Sequence, residues 1–362
     1  AAIIAGAMAG EPLALRIDGL RALTNLAVDT ANMQPMWRNE AVRATIVAGA
    51  TVGEPAAIRT YALRALANVA VDAANKQPMW RDEAVRVAII AGATVGKPLA
   101  LRTQAIRALV NLTRDAANKQ PMWRDEAVRA AIIAGATVGE PAAVRTQALR
   151  ALACLANKGT NNQPMWRDEA VRAIIMAGAI AGEPFAMRTD ALCALANLAV
   201  DAANKQEMWQ DEAVRAAIIA AATTGEPLPL RTEALRALAN LARDAANMQP
   251  MWQDKAVRAA IIAGATAGEP INIRLLACTC CAVLSRATVL RSCMVVAGVP
   301  AHLEAVWADA DLNQAGDSTN QIYRIACHLV PLALANLAGL QTTFLLQPLP
   351  SRSTSSPPIR PP

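Results

Sequence analysis

The sequence is dominated by a repeat with a fixed period of 43 residues, the distance from Pro12 to Pro55. The dipeptides at this step are Glu11-Pro12, Glu54-Pro55, Lys97-Pro98, Glu140-Pro141, Glu183-Pro184, Glu226-Pro227 and Glu269-Pro270. A Met-Trp dipeptide keeps the same step, with tryptophans at Trp37, Trp80, Trp123, Trp166, Trp209 and Trp252. A fixed period of this length is typical of stacked units that cannot bury their apolar faces alone. The chain is therefore expected to form a solenoid.

Composition and local signals predict that each unit is helical. Hydrophobic residues make up 54% of the 362 residues and aromatic residues only 3%, so the apolar content is mostly Ala and Leu, which favour helix. In the second unit, Gly53 ends the preceding segment and one helix runs from Pro55 for about 18 residues. A polar link over residues 72–77 follows, and Pro78 starts a second helix that reaches about Gly92.

Two segments resemble armadillo repeats. The stretch Ala62-Leu-Arg-Ala-Leu-Ala-Asn68-Val-Ala, followed by Asn75-Lys-Gln, resembles the third armadillo helix and the loop after it. Met294-Val-Val-Ala-Gly298-Val-Pro-Ala-His302-Leu303 resembles a first helix, a glycine break and a second helix. The resemblance covers about residues 1–340 and implies an all-α, right-handed α-solenoid of about seven 43-residue armadillo-like repeats plus a divergent C-terminal repeat. Residues 82–86 lack a glycine break, so two-helix, HEAT-like units remain the alternative to three-helix units.

The domain prediction follows from where the repeat pattern weakens. Residues 1–288 are predicted to be armadillo-like repeats that start within a repeat, so further repeats are expected upstream. Residues 289–345 are predicted to be a divergent capping repeat, because a terminal unit must shield the stack from water. Residues 346–362, which are rich in Pro and Ser, are predicted to be a disordered tail. Seven cysteines without a disulfide framework favour an intracellular, cytoplasmic or nuclear setting.

A polar stripe recurs on one face of the first predicted helix. At about 100° per residue, Thr60, Arg64, Asn68 and Asp72 fall together, opposite the leucines. In armadillo proteins the corresponding Asn lines a concave groove and holds an extended peptide backbone, and Arg one turn earlier prefers carboxylate or phosphate. The resulting partner-binding candidates are Arg21, Asn25, Arg64, Asn68, Arg107, Asn111, Arg150, Asn197, Arg236 and Asn240.

A second row of arginines falls inside the apolar sector of the same helix. Its members are Arg16, Arg59, Arg102, Arg145, Arg188, Arg231 and Arg274. A charge at such a position needs a partner, since an unpaired buried charge is costly. We expect structural ion pairs, with the acidic dipeptide Asp82-Glu83 and its equivalents as candidate partners. The tryptophan of each unit is predicted to lie in the core between repeats, and the series of Arg86 to be structural or solvated.

No motif in the sequence indicates catalysis or a cofactor. The two histidines, His302 and His328, lie in the divergent end, and Cys278, Cys280 and Cys281 lack a second cluster at metal-site spacing. We therefore expect a non-catalytic protein that uses no cofactor, metal, membrane or small-molecule substrate.

The prediction for function is a protein-interaction scaffold that binds an extended, partly acidic peptide along a groove lined by Asn and Arg. The formal charge of +6 permits an acidic partner without requiring one. The alternative is single-stranded RNA binding by a basic helical-repeat face. An argument against this alternative is that Asp72 and its equivalents lie in the same stripe and would repel phosphate. A third interpretation is an architectural spacer, whose faces bind nothing.

Overall fold

A computed structural model gives the positions of residues 2–157, 159–307 and 330–338. Within these ranges the chain is helical and contains no β-strand, so the prediction of an all-α solenoid is confirmed. The predicted disordered tail over residues 346–362 lies outside the described residues, as do residues 308–329. The predicted domain boundary at residue 288 stays a prediction.

Three kinds of helix alternate along the chain, and helices are numbered here in chain order. The long helices are α2 (Leu13–Leu26), α5 (Ala56–Val69), α8 (Leu99–Thr113), α11 (Ala142–Ala156), α14 (Phe185–Leu198), α17 (Leu228–Leu241) and α20 (Ile271–Leu284). The short helices are α3 (Thr30–Arg38), α6 (Ala73–Arg81), α9 (Ala116–Arg124), α12 (Asn162–Arg167), α15 (Ala202–Gln210) and α18 (Ala245–Gln253). The third helices are α4 (Glu40–Ala50), α7 (Glu83–Ala93), α10 (Glu126–Ala136), α13 (Glu169–Ala179), α16 (Glu212–Ala222) and α19 (Lys255–Gly264).

The repeating unit has three helices, so the two-helix alternative is wrong. The predicted second helix is divided at Asp82, whose backbone is extended at φ −72° and ψ 110°. The Asp82 carboxylate accepts a hydrogen bond from the Val85 amide at 3.2 Å, which caps the start of α7. An aspartate N-cap therefore makes the break for which the sequence analysis sought a glycine.

The short helix also begins earlier than predicted. Asp72, placed in a polar link by the sequence, accepts from the Ala74 amide at 2.9 Å and caps α6 at its first residue, Ala73. Pro78 consequently lies inside α6 rather than at its start, where it removes one helical hydrogen bond. The burial of Met79 and Trp80 in the same helix favours the helix despite this loss.

Glycine and proline mark the boundary before each long helix as predicted, but the helix starts one residue later than predicted. Gly53 has a φ of 106°, a conformation that only glycine adopts without strain, and it ends the turn before α5. Pro55 is the N-cap of α5 and not its first helical residue. α5 has 14 residues, shorter than the sequence predicted, because it ends at Val69.

The chain divides into two compact units, residues 1–260 and 261–362. In the first of these compact units, which opens with the short α1 (Ala2–Ala7), successive long helices from α2 to α17 pack against each other, and each long helix from α5 to α17 packs against the third helix that precedes it. The core between these helices is made of small and branched side chains, among them the fully buried Leu63, Ile106 and Leu149.

The second compact unit contains α20, α21 (Thr288–Val296) and α22 (Val299–Trp307), and residues 330–337 are also helical. Arg274 of α20 donates to the Ala305 carbonyl at 3.2 Å, which ties α20 to α22. In the part of the chain that the structure describes, no single helix has the length and apolar character to cross a membrane. One bent pair, Thr288–Val296 with Val299–Val306 at an angle of 81°, meets that criterion on length and composition when the two are taken together.

Candidate functional site

The arginines of the apolar sector form a row of ion pairs between units. Four of them, Arg16, Arg102, Arg145 and Arg188, donate to the glutamate that precedes the proline of the next unit. The distances are 2.7 Å for Arg16–Glu54, 2.6 Å for Arg102–Glu140, 2.9 Å for Arg145–Glu183 and 2.8 Å for Arg188–Glu226. The expected structural ion pairs are confirmed, and the expected partner, the acidic dipeptide of the second helix, is wrong. Asp82 and its equivalents instead serve as the N-caps of the third helices. We call this series the Arg–Glu row.

The tryptophans lie in the core, as predicted, and each is covered by an arginine. Trp80 is 8% exposed, and the Arg86 guanidinium carbon lies 5.6 Å from the centre of its ring. The same contact recurs in all six Trp-bearing units, at 5.4–6.0 Å. In three units the arginine also donates to the backbone carbonyl of its tryptophan, as Arg258 does to Trp252 at 3.1 Å. This arginine series is structural, and the constant spacing from Trp to Arg was the signal for the cation–π contact.

A row of buried asparagines, which the sequence analysis placed in a polar link, fastens the short helices. Asn75 donates from Nδ2 to the Val69 carbonyl of its own unit at 3.1 Å and to the Met33 carbonyl of the preceding unit at 3.0 Å. Asn118, Asn161, Asn204 and Asn247 make the same two bonds in their units. The signal was available, because an asparagine recurs at this position in six successive units, from Asn32 to Asn247.

The asparagines of the predicted partner-binding stripe are largely buried. Asn68 donates from Nδ2 to the Thr24 carbonyl of the preceding unit at 3.1 Å and is 4% exposed. Asn111, Asn197 and Asn240 donate in the same way, at 2.7, 2.8 and 2.9 Å, to the carbonyls of Ala67, Ala153 and Ala196. Asn25, in the first long helix, is exposed. One amide donor of each buried asparagine is thus used between units, and a role in holding a ligand stays a prediction.

Arginine and asparagine of this stripe are joined across neighbouring units. Arg107 Nη2 donates to Asn68 Oδ1 at 3.0 Å, and Arg236 Nη1 donates to Asn197 Oδ1 at 2.8 Å. We call each such pair an Arg–Asn rung. Between units four and five the corresponding positions hold Cys154 in place of Asn and Cys193 in place of Arg, so this rung is absent there.

The arginines of the stripe differ in the charge around them. Arg21 pairs with Asp18, Arg150 with Asp190 at 3.1 Å, and Arg236 with Glu233. Burial raises the pKa of Asp190, and the hydrogen bond from Arg150 opposes that shift.

The acidic partners all occupy one position of the long helix, three residues before the stripe position that holds Arg21, Cys193 and Arg236 in their units. That position holds Asp18, Asp190 and Glu233 in three units and the uncharged Tyr61, Gln104 and Gln147 in the three units between them.

Units two and three therefore carry cations without a neighbouring carboxylate. Arg64 is exposed and forms no hydrogen bond or ion pair with the residues that the structure describes. Arg107 is half-buried and bonds only to the neutral oxygens of Asn68 and Gln104. Burial and the nearby charge of Arg64 lower the pKa of Arg107. The helical-wheel prediction did not consider the residue three positions before each arginine and missed this difference.

Three solved structures are similar to this chain in fold. One is described as computationally designed armadillo repeat proteins for modular peptide recognition, with a TM-score of 0.56 and 18% identity over 66% of this chain and 98% of that chain. A second is a designed armadillo repeat protein with a TM-score of 0.56 and 17% identity over the same shares. A third, an engineered protein, has a TM-score of 0.52 and 18% identity over 66% of this chain and 94% of that chain. The fold is an armadillo-like helical repeat.

No protein-family model matches the armadillo-like chain, and the comparison with curated proteins gave no significant match. At this level of identity the structural likeness shows the fold alone. The long helix of each unit, which carries the polar stripe, corresponds to the third armadillo helix that the sequence resemblance indicated.

The armadillo-like units offer no cluster of metal ligands in their described part, where no group of three or more His, Cys, Asp and Glu side chains comes together. The cysteines of α20 are buried. Burial raises the pKa of Cys278 and of Cys280 to about 12, and it raises the pKa of Cys281 well above its usual value. These thiols are therefore protonated and unreactive at neutral pH.

Proposed function

We propose that this chain is a non-catalytic protein-interaction scaffold that binds an extended, acidic peptide segment, and that Arg64 and Arg107 form the main contact. The armadillo-like fold supports the general class, since a similar solved structure is described as designed for modular peptide recognition. The observation that carries the specific proposal is the absence of a carboxylate beside Arg64 and Arg107 among the described residues.

The electrostatics explain why the ligand is acidic. Burial and, after it, the nearby charge of Arg64 lower the pKa of Arg107, and a carboxylate placed against both arginines would oppose both effects. A guanidinium group binds a carboxylate through two parallel N–H donors, which also fixes the direction of approach. In the units on either side, Asp18 and Asp190 already neutralise the stripe arginines. The proposed contact is therefore confined to units two and three.

The surrounding residues hold this contact in place. Asn68 is fixed to the Thr24 carbonyl, and its Oδ1 receives the Arg107 guanidinium, so Arg107 is oriented before a ligand arrives. Pre-ordered groups lose little entropy on binding. In this proposal the asparagines position the arginines rather than contact the peptide.

The test is the affinity of the full chain for a short fluorescent poly-glutamate peptide, compared with poly-lysine and single-stranded RNA probes. The double variant Arg64→Glu/Arg107→Glu should lose the interaction. A hydrogen bond to a charged group contributes about 1.5–3 kcal/mol, so each position should change the affinity by roughly tenfold or more.

The matched control is Arg21→Glu, which changes an exposed arginine that already has a carboxylate partner in Asp18. It should leave poly-glutamate binding within about twofold, because a surface pair contributes little. Equal losses in the control and the double variant would contradict the assignment to units two and three. Tighter binding of RNA than of poly-glutamate, with a steep dependence on salt, would instead support the nucleic-acid alternative.

A further inference from the structure

One position of the Arg–Glu row departs from the pattern. At four interfaces the residue before the proline is a glutamate that pairs with an arginine 38 residues earlier, as Glu140 does with Arg102. In the third unit that residue is Lys97, and its counterpart in the row is Arg59. Two cations therefore occupy the place where the other interfaces have an ion pair.

Arg59 is buried without a counter-charge. It is 5% exposed, its Nε donates to the Ala50 carbonyl at 3.3 Å, and its Nη2 is buried with no hydrogen-bond partner. Neither Arg59 nor Lys97 forms an ion pair with any residue in the described ranges. Arg16, Arg102, Arg145 and Arg188 also have at least one buried nitrogen without a hydrogen-bond partner, but each of them binds a carboxylate. A buried guanidinium with no anion beside it is costly.

The backbone adds to the positive potential at this point. Lys97 directly precedes Pro98, the N-cap of the 15-residue helix α8, and no side chain caps that helix. The free N–H groups and the dipole of a helix favour an anion at its N-terminus. In the neighbouring units the glutamate supplies that negative charge, whereas Lys97 adds a further positive one.

We propose that Arg59, Lys97 and the N-terminus of α8 form a binding site for a small oxyanion, a phosphate or carboxylate group. The anion takes the place that a glutamate carboxylate has at the other interfaces. Lys97 is exposed and Arg59 is buried, so the site opens to solvent on the Lys97 side and accepts a compact group rather than a broad surface. Arg59 and Arg64 are five residues apart on one helix, or about 140° around its axis, so this site is separate from the proposed peptide contact.

The experiment is isothermal titration of the full chain with inorganic phosphate, and separately with acetate, at an ionic strength kept constant with chloride. The wild-type chain should bind one anion. The variant Lys97→Glu restores the glutamate of the row and should abolish the binding. Thermal unfolding should show the same difference, because phosphate at ten times its Kd raises the folded-to-unfolded ratio of the wild-type chain about elevenfold and leaves that of Lys97→Glu unchanged.

A variant that should gain an anion site provides the complementary test. Glu140→Lys recreates the same arrangement one unit further on, at Arg102, and should add a second anion site to the chain. If that variant fails to fold, the comparison of the wild-type chain with Lys97→Glu still decides. Whichever anion binds more tightly identifies the source, a phosphoryl group for phosphate and a carboxylate side chain or terminus for acetate. Equal responses of the wild-type chain and Lys97→Glu, or no response from either, would overturn the proposal.

Discussion

Replacing Asn75 with alanine removes two buried hydrogen bonds at once. Its Nδ2 donates to the Val69 carbonyl at the end of α5 and to the Met33 carbonyl in the preceding unit, and the side chain is 1% exposed. A net contribution of about 0.5–1.5 kcal/mol per hydrogen bond gives an expected loss of about 1–3 kcal/mol in the free energy of unfolding. Both bonds lie in a buried site, which places the expectation in the upper half of that range.

The first unit offers a matched control for this variant. Asn32 occupies the same position of its short helix but makes only the bond within its own unit, to the Leu26 carbonyl at 3.1 Å. The change Asn32→Ala alters helix propensity by the same amount and removes one hydrogen bond rather than two. We therefore expect Asn75→Ala to cost about 1 kcal/mol more than Asn32→Ala. Asn32 is also less buried than Asn75, so the difference measures the bond between units together with the deeper burial of Asn75.

The assay is urea unfolding followed by circular dichroism and by tryptophan fluorescence, with the free energy taken by linear extrapolation. Coincidence of the two signals is required, since long repeat arrays can unfold in parts. Equal losses for the two variants would refute the reasoning that Asn75 holds neighbouring units together. A change in the slope of the transition without a shift of its midpoint would also count against it, because that indicates an altered unfolded state.

Two further predictions concern the cysteines. The double change Cys154→Asn/Cys193→Arg restores the missing Arg–Asn rung, and a double-mutant cycle in urea should show a favourable coupling of about 1 kcal/mol between the two positions; additive single effects would contradict it. In native protein at pH 8, a thiol reagent followed by mass spectrometry should modify the exposed Cys293 but neither Cys278 nor Cys280, whose raised pKa of about 12 keeps the thiolate form scarce. Modification of Cys278 without urea would contradict the buried position of α20.

The part of the fold that follows from a simple period could be predicted from the sequence. The step of 43 residues, the glycine of positive φ at Gly53 and the large buried Trp80 each depend on a local pattern or on a residue type. The break at Asp82 was missed because an aspartate cap divides a helix without a glycine or proline. Pro78 was wrongly predicted to start a helix. The short helix α6 is capped and buried, and it therefore tolerates a proline in its interior.

Side-chain contacts between repeat units were harder to predict from the sequence than the helices themselves. A helical wheel showed that the arginine at Arg102 faces the apolar side, but it cannot say which residue of the next unit faces it. The partner proved to be Glu140, beyond the reach of any single-helix argument. The same limit applied to Asn68, whose polar stripe suggested an open groove although its amide is bonded to the preceding unit.

Repetition of a residue does not make its environment repeat. Arg21 and Arg64 occupy the same position in successive units, yet one has a carboxylate beside it and the other does not, because the residue three positions earlier changes from Asp18 to Tyr61. The Arg–Glu row shows the same effect: Lys97 replaces a glutamate, and the buried Arg59 is left without an anion. In a stack of near-copies the constant residues build the scaffold. Residues that differ between units leave Arg59, Arg64 and Arg107 without a carboxylate, and we therefore propose ligand binding in units two and three.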